Sequence, residues 1–129
     1  MSRGPPPSRL CFLSQVPAQK TGVKVRFLGC VTSYDTGTAT VQLGHLYPRG
    51  TNVLVAVDLR LVLETMKPGI MTVGEWVNVV GYVVDRRRVQ ALMMWSTGPL
   101  DVAEYERATE EAMAGLCKDD VLCMFQGRN

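Results

Sequence analysis

The sequence predicts an all-β fold with helices, built as a five-stranded barrel, and three observations predict it. Apolar and polar residues alternate in five separate stretches, the period of a strand with one buried face. Glycine lies inside the first and fourth stretches, and Gly29 sits where a curved strand needs a missing side chain. Between the third and fourth stretches, and again after the fifth, the apolar spacing changes from two to that of a helix.

Three prolines at positions 5 to 7 fit neither a ladder nor a helix interior, so residues 1–9 are expected to form a flexible arm. Leu10, Cys11, Phe12, Leu13 and Val16 then form an apolar cluster that docks the next segment on the body. In the first strand Val23, Val25, Phe27, Gly29 and Val31 share the core register, and Lys24, Arg26, Leu28, Cys30 and Thr32 the other. Asp35, Thr36 and Gly37 turn the chain into a second strand carrying Ala39, Val41 and Leu43, which stops at the loop HLYPRGTN. The third strand covers Asn52 to Leu59. Leu59, Val62, Leu63 and Met66 follow at i, i+3, i+4 and i+7, which predicts a short helix ended by Pro68 and Gly69. Strands four and five, Trp76 to Asp85 and Val89 to Ser96, are joined by a tight turn of three arginines. A last helix is predicted from Leu100 to Leu116, with a short tail over residues 117–129 that either extends an interface through Val121, Leu122 and Phe125 or stays unstructured.

Three strands, a helix, two strands and a final helix match a five-stranded OB-fold barrel, with one helix between strands three and four and another at the C-terminal end. An SH3-like barrel explains the strands but neither helix. One domain over residues 10–116 fits the length of 129 residues and the 47% hydrophobic content. A net charge of +2 leaves nucleic-acid binding to a local patch rather than to bulk charge. The four cysteines show no CxxC pair and follow no apolar leader, so they are expected as reduced thiols in an intracellular protein. Every apolar run is interrupted by charge well short of the roughly 20 residues that span a bilayer.

The stretches KVRFLGCVTSYD, YPRGT, VDLRLVLE and above all VGEWVNVVGYV carry a family resemblance. Over roughly Leu10 to Leu116 the chain resembles the fungal form of the smallest subunit of the telomere-capping CST complex, similar in architecture to the smallest subunit of replication protein A. The resemblance implies a nuclear, non-enzymatic OB-fold subunit at telomeres. It implies a heterodimer with the N-terminal OB domain of the middle CST subunit, within a heterotrimer, and a contribution to single-stranded telomeric DNA binding, end protection and length regulation.

Residue by residue, the candidate nucleic-acid contacts are Lys24, Arg26 and Tyr34 on the outer register of strand one, Tyr47 and Arg49 in the next loop, and Arg86, Arg87 and Arg88 in the last turn. Tyr34 either covers a hairpin edge or stacks a base. Arg49 either pairs with phosphate or stays solvated, and the arginine turn either neutralises phosphates or keeps a strand edge soluble. His45 is the single histidine and has no partner at metal spacing. No nucleophile is set beside a base, Asp58 and Glu64 make no acid pair, and GTATVQLG lacks the end of a phosphate loop. No enzymatic activity, cofactor, metal, membrane or small-molecule substrate is expected.

The final helix opens at Asp101 with Glu104 three residues on, the spacing of a capping box. Val102, Tyr105, Thr109, Ala112, Met113 and Leu116 share one side, and Met94 and Trp95 on strand five extend that candidate partner surface. Either the stripe packs on the chain's own barrel or it meets a partner helix. Adjacent strand residues face opposite ways, so only one of Met93 and Met94 belongs to the core. The alternatives to a capping subunit are a free-standing single-strand-binding OB protein, a replication protein A-like small subunit, and an enzyme-associated barrel.

Overall fold

In the computed structural model, residues 8–65 and 72–120 are described, with side chains along the last helix as far as residue 114. The elements are β1 (Arg9–Leu10), a 3₁₀ helix (Leu13–Ala18), β2 (Lys24–Asp35), β3 (Thr40–Gly44), β4 (Leu54–Asp58), β5 (Trp76–Asp85), β6 (Arg88–Ser96) and α1 (Val102–Asp120). The chain up to Gly98 forms one compact unit and the chain from Pro99 a second.

The strands close on themselves. β2 is long enough to serve two neighbours: Lys24 to Cys30 pair antiparallel with β5, while Cys30 to Asp35 pair antiparallel with β3. β3 pairs with β4, β5 with β6, and the parallel pairing of Ala56, Val57 and Asp58 with Arg88, Val89 and Gln90 shuts the ring. That circuit is the OB order expected from the five stretches. β1 adds a short parallel pairing outside it, Arg9 opposite Val25 and Leu10 opposite Arg26.

Two glycines permit the curvature. A Cβ on Gly29 would lie 2.8 Å from the Leu43 Cβ and 2.9 Å from a methyl of Leu13. One on Gly81 would lie 2.2 Å from the Gln90 carbonyl oxygen, inside the backbone of the neighbouring strand. The barrel interior holds Val25, Phe27, Val31, Val41, Leu43, Val55, Val57, Val77, Val79, Val83, Val89 and Ala91, joined by Leu13 and Val16 from the 3₁₀ helix and by Leu59 and Val62. Each fully buried valine, leucine or phenylalanine of this set contributes about 1.5–3 kcal/mol, so the alternating register is strongly specified.

The 3₁₀ helix gives form to the docking segment that the sequence showed only as an apolar cluster. Its bonds run from Gln15 N–H to the Phe12 carbonyl and from Gln19 N–H to the Val16 carbonyl, while the Gln15 side chain accepts the Phe12 N–H at 2.8 Å. Pro17 interrupts the donor series by lacking an N–H, which a short 3₁₀ helix tolerates better than an α-helix interior.

The helix predicted over Leu59 to Met66 differs in the structure. Residues 60–65 form successive turns, with Val62 N–H on the Leu59 carbonyl and Thr65 N–H on the Val62 carbonyl; Met66, Pro68 and Gly69 lie outside the described residues. Leu59 and Val62 are buried as expected, but Leu63 is exposed. The physical reason is length: so short a segment cannot recover the cost of helix nucleation by itself, and its bonds close at the i+3 interval instead.

A second correction concerns β2. The ladder with β3 slips by one residue between Val31 and Ser33, so Thr32 is an extra residue and its hydroxyl donates to the Gln42 carbonyl at 3.0 Å. Every later side chain changes face, and Tyr34 comes to stand opposite Val41, packed against the core. The strict alternation that set Tyr34 beside Lys24 and Arg26 stops at Thr32.

Candidate nucleic-acid interface

Local chemistry builds the two turns that frame the candidate groove. After β2, the Asp35 carboxylate accepts the Gly37 N–H at 2.9 Å, and Ala39 adopts the left-handed conformation (φ 52°) before β3 begins. After β5, the Asp85 carboxylate accepts the Arg87 N–H at 3.2 Å, and the Arg87 carbonyl takes the Ala56 N–H at 2.7 Å. The second turn therefore consists of Arg86 and Arg87, with Arg88 already in β6.

Between them lies a cleft of about 770 Å³ lined by Ser33, Asp35, Gly37, Thr38, Ala39, Thr40, Gln42, Asp58, Arg60 and Arg88. Its floor is the outward register of β3 and β4, where Thr40 pairs with Asp58 and Gln42 with Ala56. These side chains are small and polar, and no aromatic lines the cleft among the described residues. The surface offers hydrogen bonds and charge, not stacking platforms.

Asp58 and Arg60 organise one wall. Asp58 is 7% exposed, and its carboxylate accepts two bonds from Arg60 Nε at 3.1 Å, one from Nη2 at 2.6 Å and the Arg60 backbone N–H at 2.9 Å. The hydrogen bond from the Arg60 side chain holds the Asp58 carboxyl below its ordinary value against the opposing effect of burial, and Arg88 adds a weaker attraction. The Arg60 side chain remains 70% exposed.

The eight residues singled out for nucleic acid are not brought together. Arg88 lines the cleft, whereas Arg86 and Arg87, exposed in the turn before it, are not among the lining residues. Lys24 and Arg26 are paired with Tyr82 and Val80 along β5, away from the lining, and Tyr34 packs on the core. Tyr47 belongs to an aromatic cluster, 4.8 Å from Phe12 and 6.0 Å from His45 between ring centroids, with Trp76 5.3 Å from His45. Arg49 is exposed in the same loop. Asp58, Arg60, Thr38 and Gln42 went unremarked as cleft residues, although Asp58 and Arg60 sit two apart at a strand exit, the spacing of a side chain that captures its own turn.

On the partner surface, Met93 and Trp95 are exposed (56% and 39%), while Met94 packs against the core. Met94 is thus corrected from the exposed face to the core-facing one, where it is half-buried, because an extra residue at Leu92 in the β5–β6 ladder sets which methionine faces in. Along α1, Asp101 accepts the Glu104 N–H at 3.2 Å as its cap. Val102, Tyr105 and Met113 are half-buried, Thr109 is buried and Ala112 exposed; the Leu116 side chain lies outside the described residues. Cys11 and Cys30 carry free thiols, and burial pushes that of Cys11 up to about 11.

Known proteins share this sequence pattern and this fold. Residues 1–110 match the family model Ten1, described as telomere capping, CST complex subunit. The chain is 29% identical over 104 residues to protein ten1 of Schizosaccharomyces pombe, covering 81% of this chain and 92% of that one. A chain of the S. pombe Stn1-ten1 complex superposes with a TM-score of 0.72 at 29% identity, over 85% of this chain and 95% of its own length. U. maydis replication protein A, in a structure bound to single-stranded DNA, matches at TM-score 0.60 and 23% identity over 84% of this chain and 91% of that one, a likeness of fold.

Proposed function

The chain belongs to the Ten1 family of telomere-capping CST complex subunits, and from that we propose that it acts as the small OB-fold partner of an Stn1-type subunit at telomeres in the nucleus. The carrying observation is the match to the S. pombe Stn1-ten1 complex along nearly the whole of the relative's chain. The protein is a binding subunit without catalysis: it pairs with the N-terminal OB domain of its partner and adds a polar groove to a longer path for single-stranded telomeric DNA.

Partner contacts are assigned separately to each unit: in the first to Trp95 and Met93 on β6, and in the second to Val102, Tyr105, Thr109, Ala112, Met113 and Leu116 of α1. Exposed Met93 and Trp95 are the kind of adaptable apolar surface that interfaces use. DNA contact falls to the cleft between the β2–β3 and β5–β6 turns, through Arg86, Arg87 and Arg88, with Arg49 and Tyr47 at the far loop and Lys24 and Arg26 on the flank. Because the cleft has no aromatic platform among the described residues and mixes Asp35 and Asp58 with its arginines, its own affinity is weak. Tethering in the complex turns a weak contact into a useful one through effective concentration.

Co-purification tests the pairing. Tyr105→Ala with Leu116→Glu abolishes recovery of the partner while the barrel stays folded; a complex of unchanged yield would remove α1 from the interface. A free-standing single-strand binder, by contrast, binds oligonucleotide tightly as the isolated chain.

A further inference from the structure

Resting on the reading of the cleft as a DNA contact, we infer that Arg60, held by Asp58, is a phosphodiester-binding residue of this groove, paired there with Arg88. A guanidinium carries five N–H donors arranged so that two separate edges can each meet a carboxylate or phosphate. Asp58 occupies one of these edges, taking Arg60 Nε at 3.1 Å and Nη2 at 2.6 Å. The opposite edge, between Nη1 and Nη2, keeps its fork for a second oxyanion, and the side chain lines the cleft while 70% exposed.

Asp58 is itself almost buried and also accepts the Arg60 backbone N–H, so the guanidinium is oriented from both ends of its own residue. Most surface arginines must lose rotamer freedom on binding, whereas this one has given it up in the folded chain. Arg88 supplies a second positive charge on the same lining, close enough to act on the Asp58 carboxyl. The floor of Thr40 and Gln42 carries no stacking surface, which favours recognition of the strand's backbone over that of its bases.

The test is titration of the full chain in complex with its partner subunit, using a thymidine oligodeoxynucleotide across a salt series. Arg60→Gln, which keeps a donor for Asp58, and Arg60→Ala each weaken binding about tenfold and reduce the slope of log affinity against log salt by about 0.7. Arg60→Lys restores less than half of that loss, because an ammonium cannot present the fork. With an oligomer of uncharged methylphosphonate backbone, wild type and Arg60→Gln bind alike. Unchanged affinity in Arg60→Gln and Arg60→Ala, full rescue by lysine, or a defect that persists on the uncharged oligomer would overturn the inference while leaving the groove a DNA contact. If the wild-type complex and its Arg86, Arg87 and Arg88 variants bind with equal affinity, the reading of the groove falls and the inference with it.

Discussion

Tyr34 stands directly opposite Val41 in the β2–β3 ladder and packs against the barrel core, because Thr32 is one residue too many for the strand it pairs with. A tyrosine placed by alternation on the outer face is thereby a structural residue. Tyr34→Ala is expected to lower unfolding free energy by about 2 kcal/mol in denaturant titration. Oligonucleotide affinity per folded molecule stays unchanged. Loss of affinity with unchanged stability would return Tyr34 to the binding surface.

Gly81 is held to glycine by the neighbouring backbone. A Cβ there would sit 2.2 Å from the Gln90 carbonyl oxygen, and unlike a side-chain tip this oxygen belongs to the ladder that joins β5 to β6. Gly81→Ala is expected to cost about 3 kcal/mol by thermal or denaturant unfolding. Gly29→Ala meets a methyl of Leu13 that can turn away but also the Leu43 Cβ at 2.8 Å, an atom fixed to the β3 backbone, and is likewise expected to destabilise.

Acid stability should report the Asp58 and Arg60 pair. The folded-state pKa of Asp58 is lowered from 3.8, chiefly by the Arg60 side-chain hydrogen bond. A carboxylate with a depressed folded pKa contributes stability that is complete above its unfolded pKa and is lost as pH falls through the folded one. Wild type is therefore expected to lose stability more steeply than Asp58→Asn below about pH 4. Parallel acid-unfolding curves for the two proteins would show that the pair contributes nothing.

The arginine turn is expected to add phosphate contacts to the groove. Replacing Arg86, Arg87 and Arg88 by glutamate is expected to weaken single-strand binding by the complex and to flatten its salt dependence by about 0.7 for each phosphate left without its cation. Equal affinity and equal slope would exclude the turn from the site.

What could be read from the residues divides along physical lines. The five strands were legible because Val25, Phe27, Val41, Leu43, Val77 and Val79 repeat at period two and are buried accordingly. Gly29 was legible as a curvature position for the same reason. The extra residues at Thr32 and Leu92 were not, since a bulge leaves composition untouched and only shifts the partner strand; Tyr34 and Met94 were misplaced as a result. The turns after Leu59 imitate a helix because 3₁₀-type spacing shares the i, i+3 interval with the α-helix. Within the cleft, Arg88 was visible as part of a charge run. Arg60 was hidden because its importance comes from closure of β4 on β6, a pairing between distant parts of the chain.

As half of a heterodimer, this Ten1-family chain is expected to sediment with its partner. Sedimentation velocity of the full chain mixed in equal amounts with the N-terminal OB domain of its Stn1-type partner should show a single heterodimeric species that withstands dilution and is lost with Tyr105→Ala plus Leu116→Glu. Two independently sedimenting components in the wild-type mixture would contradict it.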